Sequence, residues 1–183
     1  MRLRIISGKF GGRFISADVG RATHPMGDRV RSGLFSSLES RGVLEDAEVL
    51  DAFAGTGAVG IEALSRGAKS VVFLERDKLA QKVIVDNITT LNISEQTKLI
   101  KASIDAWITS DKTAKFDLVF ADPPYNNPHF STVFRLLGAL RKNGLMILSL
   151  SGREIIPEPN GVVVVDNRSY GEARLVIYRK IED

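Results

Sequence analysis

Two stretches of this 183-residue chain carry residue types whose spacing could do chemistry. The first is Asp51-Ala52-Phe53-Ala54-Gly55-Thr56-Gly57-Ala58-Val59-Gly60, a glycine loop that follows an apolar run and opens a helical pattern. Gly55, Gly57 and Gly60 spell G-x-G-x-x-G, the dinucleotide fingerprint, and Glu75 stands 20 positions after Gly55, where an acid binds ribose hydroxyls. Asp51 shifts the balance away from a dinucleotide. A carboxylate at the base of the loop is awkward beside a pyrophosphate but suits the cationic amino end of S-adenosylmethionine. Asp51 for the methionine end and Glu75 for the ribose fit a cofactor with no phosphate. Phe53, Ala54, Gly55, Gly57 and Arg76 are candidate cofactor contacts around them.

The second stretch is Asp122-Pro123-Pro124-Tyr125, placed after a later strand and so at the same sheet edge as the loop. Two prolines stiffen the turn. Asp122 and the Pro123 carbonyl become fixed acceptors, and Tyr125 offers a ring on which a base can stack. A planar amine on a base is a poor nucleophile, because its lone pair is delocalised into the ring. Two acceptors that hold its two N–H groups pull the nitrogen toward a tetrahedral geometry and aim the lone pair at a methyl donor. Asp122, Pro123 and Tyr125 are the candidate catalytic residues, and Asp122 is also a candidate cofactor contact. Ser103 and Ile104, just past the third strand, are where an adenine could be held, with Asp105 the nearest acid. Trp107 and Phe130 read as core or rim.

Composition narrows the alternatives. There are no cysteines, so disulfides, cysteine-ligated zinc and a thiolate nucleophile are excluded. His24 and His129 make no metal-ligand spacing, and no metal is expected. No apolar run reaches membrane-spanning length and the N-terminus lacks a signal-peptide core, so a cytoplasmic monomer with no membrane partner is expected. The net charge of +3 is unevenly placed: residues 1–42 hold eight Lys or Arg against three acids. A basic segment on a near-neutral body suggests a polyanionic partner. Arg4, Lys9, Arg13, Arg29 and Arg31 are the candidate phosphate contacts.

The elements that must position these residues follow from periodicity. Leu3 to Ile6 and Arg13 to Ser16 predict a hairpin around turn glycines, and Asp28 opens a helix that Gly42 ends. From Glu48 strands alternate with helices. Strands are predicted at 49–53, 70–75, 98–102, 116–121 and 145–150, with helices at about 58–66, 78–91, near Ala106 and at 130–140. A closing pair follows at 162–165 and 174–178. The pattern predicts a parallel α/β sheet covered on both faces with an antiparallel member at one edge. It divides the chain into a basic hairpin-and-helix extension over 1–42, the candidate polyanion-binding (RNA-binding, if the partner is RNA) segment, and a catalytic domain over 43–183.

These residues resemble the RsmD-type 16S rRNA guanine-N2 methyltransferases over nearly the whole chain. The likeness rests on Arg4-Ile5-Ile6-Ser7-Gly8 with Gly11-Gly12-Arg13, Pro25 with Asp28-Arg29-Val30-Arg31, the glycine loop through Ala68, Asp122-Pro123-Pro124-Tyr125, and Arg168-Ser169-Tyr170-Gly171. The resemblance implies a Rossmann-like class I methyltransferase fold and S-adenosylmethionine as donor. It also implies methylation of a guanine N2 in 16S ribosomal RNA, within an assembling small ribosomal subunit. His24 and Met26 flank Pro25 where the family usually has Arg and Thr, and Ser32 stands where it has an acid. Alternatives from the residues themselves are adenine N6 or cytosine N4 of DNA, a protein glutamine, a nicotinamide-dependent dehydrogenase, and a non-catalytic assembly factor. The dehydrogenase leaves Asp51 and the Asp-Pro-Pro-Tyr turn unexplained.

Overall fold

The computed structural model describes residues 1–18, 26–125 and 128–182. His24 and Pro25 lie outside that range. The chain forms two compact units, Met1–Ser103 and Ile104–Asp183.

In the first unit, strands β1 (Arg2–Arg4) and β2 (Phe14–Ser16) pair antiparallel, with Leu3 opposite Ile15. The turn between them presses onto helix α2 (Ala58–Ser65). Lys9 N–H donates to the Ser65 carbonyl at 2.6 Å, and a Cβ at Gly8 would lie 1.8 Å from that same oxygen. Only glycine fits there. Helix α1 (Asp28–Ser40) buries Leu34, Phe35 and Leu38 on one face and is followed by Gly42 at φ +65°.

Strands β3 (Glu48–Ala52), β4 (Ser70–Leu74) and β5 (Thr97–Ile100) are parallel in the order β5-β4-β3. Val49, Leu50, Phe73 and Leu74 are at most 1% exposed, which explains their unbroken apolar runs: both faces of these strands are covered. Helix α3 (Lys78–Leu91) starts at Asp77, whose carboxylate accepts from Leu79 and Ala80 N–H, and stops at Asn92 in a left-handed conformation. The third strand ends at Ile100 rather than Ala102.

The second unit contains α4 (Ile104–Ser110), β6 (Phe116–Ala121), α5 (Phe130–Arg135), β7 (Leu140–Ser151), β8 (Val162–Tyr170) and β9 (Ala173–Lys180). Its strand order is β6-β7-β9-β8. β6 and β7 are parallel, β9 is antiparallel to β7, and β8 at the edge is antiparallel to β9. Sequence periodicity places the start of β7 at Leu145, but the strand begins at Leu140. Arg141, Lys142 and Asn143 carry no apolar signal, and a register shift between Phe116 and Leu118 accommodates them. The helix expected to run to residue 140 therefore ends at Arg135 and tightens into a 3₁₀ turn over Leu136–Ala139. Among the described residues no helix is long and apolar enough to cross a membrane.

Candidate active site

The glycine loop leaves β3 through three left-handed residues, Phe53 at φ +61°, Gly55 at +54° and Gly57 at +76°. A left-handed conformation costs a side-chain-bearing residue about 1–2 kcal/mol, so Phe53 is held there by its surroundings. Gly57 is the N-cap of α2 and has no side chain to cap it. Asp51 supplies the missing acceptor from the neighbouring strand: its Oδ2 accepts from Gly60 N–H at 2.9 Å. Asp51 is 4% exposed, so this carboxylate fixes the loop-to-helix junction as well as being the candidate for the methionine amine. Gly60 has a different reason to be glycine. A Cβ there would lie 2.5 Å from the Phe73 ring and 2.7 Å from Val71, so α2 packs on β4 with no room for a methyl.

Glu75 follows β4. Its two oxygens are oriented by two backbone donors, Gly55 N–H at 2.8 Å and Asp77 N–H at 2.8 Å. A carboxylate oxygen has two acceptor sites, so each keeps one for a ligand. A preset pair of acceptors beside a glycine backbone suits two vicinal hydroxyls, and the donor set fits the ribose of S-adenosylmethionine. Ala54 is buried, Arg76 is exposed, Ser103 is partly exposed and Ile104 is buried. Sequence reasoning missed Asn87. This residue of α3 is 1% exposed and donates to the Thr56 carbonyl of the loop at 3.0 Å and to the Ser16 carbonyl at 2.9 Å, while accepting from Ser16 N–H. A polar residue on the apolar face of an amphipathic helix was the available signal.

In the second unit Asp122 follows the last residue of β6. Pro123 is buried, while Pro124 and Tyr125 are exposed. The Tyr125 hydroxyl lies 2.8 Å from the Ser149 hydroxyl on β7. Ser149 is 3% exposed and also hydrogen-bonds the Asp122 carboxyl. Burial pushes the Asp122 carboxyl above its ordinary pKa, and the Ser149 hydrogen bond offsets part of that rise. Burial likewise raises the Tyr125 phenol, and the charge of Asp122 adds to the rise. Tyr125 remains 41% exposed, so its ring is open to a stacking partner.

The basic candidates separate by burial. Arg4, Lys9, Arg13 and Arg29 are exposed. Lys9 and Arg13 lie over the Phe10 ring, at 5.3 and 5.9 Å from its centre. Arg31 is a correction to the sequence reading. It is 1% exposed and donates to the carbonyls of Met26 and Arg4 and to the Asp28 carboxylate, with Glu62 3.7 Å from its Nε. It holds α1 against the hairpin and presents no charge to a phosphate. Asp105 pairs with Arg135 and with Thr132 of α5, which ties down α4. Trp107 is 3% exposed against Phe116, and Phe130 stacks on Phe134.

Parallel strands alternating with helices, a glycine loop after the first of them and an acid after the second define a Rossmann-like class I S-adenosylmethionine-dependent methyltransferase fold. The solved structure of yhhF from Escherichia coli, described as a methyltransferase, matches it with a TM-score of 0.86 over 100% of both chains at 26% identity. A family model described as Conserved hypothetical protein 95 matches residues 3–179, and the chain belongs to that family, which is the RsmD family. The Haemophilus influenzae protein named Ribosomal RNA small subunit methyltransferase D is 35% identical over 90% of this chain and 78% of its own. Its Escherichia coli K12 namesake is 32% identical over 74% and 67%.

Proposed function

We propose that this protein transfers a methyl group from S-adenosylmethionine to the exocyclic N2 of a guanine in 16S ribosomal RNA. The observation that carries the reading is the Asp122-to-Tyr125 turn: a desolvated carboxyl, a rigid carbonyl at Pro123 and a flat ring 41% exposed. Such a turn can bind an amine through both N–H groups while stacking its ring system. Membership of the RsmD family and the names of the relatives support ribosomal RNA of the small subunit as the substrate.

Asp51 would hold the amino end of the cofactor and Glu75 its ribose hydroxyls, with Phe53, Ala54, Gly55 and Gly57 shaping the backbone around it and Arg76, Ser103 and Ile104 at its margins. S-adenosylmethionine held there would supply an electrophilic methyl on a sulfonium, with a neutral thioether as the leaving group once the amine nitrogen has taken the methyl. Asp122 and the Pro123 carbonyl accept the two amine N–H groups and orient the lone pair. Asp122 then receives the proton that the methylated nitrogen releases. A carboxyl with a raised pKa suits this step, because it takes that proton more readily than an ordinary aspartate. Residues 1–42 would be the RNA-binding extension, with Arg4, Lys9, Arg13 and Arg29 on phosphates, and residues 43–183 the catalytic domain.

The test is methyl transfer from labelled cofactor to assembled small subunits and to naked 16S RNA, with nucleoside analysis of the product. N2-methylguanosine is the expected product. N6-methyladenosine, N4-methylcytidine or no transfer to either substrate overturns the proposal.

A further inference from the structure

We propose that Ser149 is a positioning residue of the methyl-accepting turn, a hydroxyl on β7 that ties the Tyr125 ring and the Asp122 carboxyl into one hydrogen-bonded chain. The proposal rests on the amine-methylation reading above. Ser149 sits in the middle of Leu145-Met146-Ile147-Leu148-Ser149-Leu150, a run whose other members are at most 5% exposed. A hydroxyl buried in such a strand needs partners, and it has two: the Tyr125 hydroxyl at 2.8 Å and the Asp122 carboxyl.

The direction of the chain follows from counting hydrogens. An ionised carboxylate only accepts, and a serine hydroxyl has one hydrogen to give. Ser149 therefore donates to Asp122, and the Tyr125 hydroxyl must donate to the Ser149 oxygen. Every donor points toward the carboxylate. Two consequences bear on the reaction. One lone pair of Asp122 is engaged from the strand side, which leaves the remaining lone pairs aimed in a fixed direction. The Tyr125 ring is anchored at its hydroxyl while its face stays open, so the plane on which a base stacks is set by β7 rather than by the turn alone. The ring supplies the stacking and the hydroxyl supplies its orientation.

The chain acts on geometry that matters as the amine nitrogen rehybridises, so its removal should be read in kcat more than in KM. Ser149→Ala should lower kcat about 10- to 100-fold, the scale of losing one hydrogen bond to a charged group. Affinity for S-adenosylmethionine should be unchanged. Tyr125→Phe, at an exposed position that does not endanger folding, should lower kcat about 3- to 10-fold, because it removes one neutral hydrogen bond. Ser149→Thr restores the hydroxyl and should bring kcat back to within about 5-fold of wild type.

The decisive measurement is a double-mutant cycle in single-turnover methyl transfer. With Asp122→Ala already present, adding Ser149→Ala should change the rate by less than about twofold, since a residue that works through Asp122 has nothing left to position. Wild-type-like kcat in Ser149→Ala, or full additivity with Asp122→Ala, shows a packing role and overturns the proposal. A wild-type protein that methylates no base amine overturns the parent reading instead, and the wild-type arm of the same assay tells the two failures apart.

Discussion

Replacing Glu75 by alanine separates cofactor binding from stability within one side chain. Both Glu75 oxygens already accept a backbone N–H, from Gly55 and from Asp77, and each would accept one ribose hydroxyl more. Hydrogen bonds to a charged group contribute about 1.5–3 kcal/mol each, with water replacing part of the loss. Two such bonds put the cost to S-adenosylmethionine binding at about 2–4 kcal/mol, or roughly 30- to 1,000-fold in Kd. The stability cost has a different origin. Gly55 is buried, so its N–H is left without an acceptor at about 1–3 kcal/mol, whereas Asp77 is exposed and its N–H can turn to water. At about 2–4 °C per kcal/mol for a chain of this size, Tm should fall by about 2–12 °C. Asp77→Ala is the control. It removes the α3 cap, worth about 0.5–2 kcal/mol, but leaves the Glu75 carboxylate in place, so Tm should drop while Kd moves little. Calorimetric titration and thermal melts of the two variants give all four numbers. An unchanged Kd in Glu75→Ala, or equal losses of affinity in both variants, refutes the assignment of Glu75 to the ribose.

Asp122→Asn should stabilise the protein at neutral pH. Burial raises the Asp122 carboxyl above its ordinary value of 3.8, so the folded protein disfavours the charged form: the contribution of this group to stability is fully present below 3.8 and is lost as pH rises through the raised value. The Tm advantage of the asparagine variant should therefore vanish below about pH 3.8, and a variant that melts no higher than wild type at neutral pH would contradict burial as the dominant influence. Reversing Arg13 and Arg29 to glutamate should weaken RNA binding and flatten its salt dependence, measured as the slope of log K against log salt, by about 0.7–0.9 for each phosphate no longer neutralised. Arg31→Ala should instead leave the Met26 and Arg4 carbonyls without their donor at about 1–3 kcal/mol each, while Glu62 stays paired with Arg66, seen as a Tm drop on the order of 10 °C, with the salt slope unchanged in protein that remains folded.

The elements legible in the sequence are those whose burial is periodic. Helix α3 and strand β6 begin and end where their apolar patterns and caps place them, because Asp77 and Asn92 are themselves visible punctuation. Strand β7 starts before its apolar core, with Arg141, Lys142 and Asn143 in the register shift between Leu140 and Leu145, and β8 runs past its apolar residues into Asp166 through Tyr170, where pairing with β9 continues without burial. Backbone pairing of polar residues at a strand end leaves no trace in hydropathy. The site divides in the same way. Residues that stand next to each other in sequence, the glycines and the Asp-Pro-Pro-Tyr turn, declare themselves. Ser149 and Asn87 act across strands and helices on groups 24 and 31 positions away, and nothing local marks their partners. The charge of Arg31 was visible but its burial was not, since a basic residue on a helix reads the same whether it faces water or Glu62.

The fate of Arg31 also changes what the N-terminal segment is. Residues 1–42 read as an extension added to a catalytic domain, yet the hairpin's polar backbone is satisfied by buried side chains of the helices behind the cofactor loop. Glu62, 0% exposed on α2, accepts from Ile6 N–H at 2.9 Å and Ser7 N–H at 3.2 Å. Ser65 accepts from Phe10 N–H and donates to the Ser7 carbonyl. Asn87 uses its amide oxygen on Ser16 and divides its amide nitrogen between Ser16 and Thr56 of the glycine loop. Removing residues 1–16 would therefore take two backbone donors from a buried carboxylate, which keeps Arg66 at 2.7 Å, and both Ser16 partners from a buried amide, at about 1–3 kcal/mol for each polar group left unmet. It would also leave the Thr56 carbonyl held by a side chain that has lost its other anchor. Deleting the hairpin perturbs the glycine loop through Asn87 whether or not RNA ever touches it. Arg13 donates to the Thr90 carbonyl at 2.9 Å and so also ties the hairpin to α3, but charge reversal at exposed Arg29 leaves those buried partners in place. The two perturbations are not equivalent, and only the second isolates the polyanion surface from the fold that carries it.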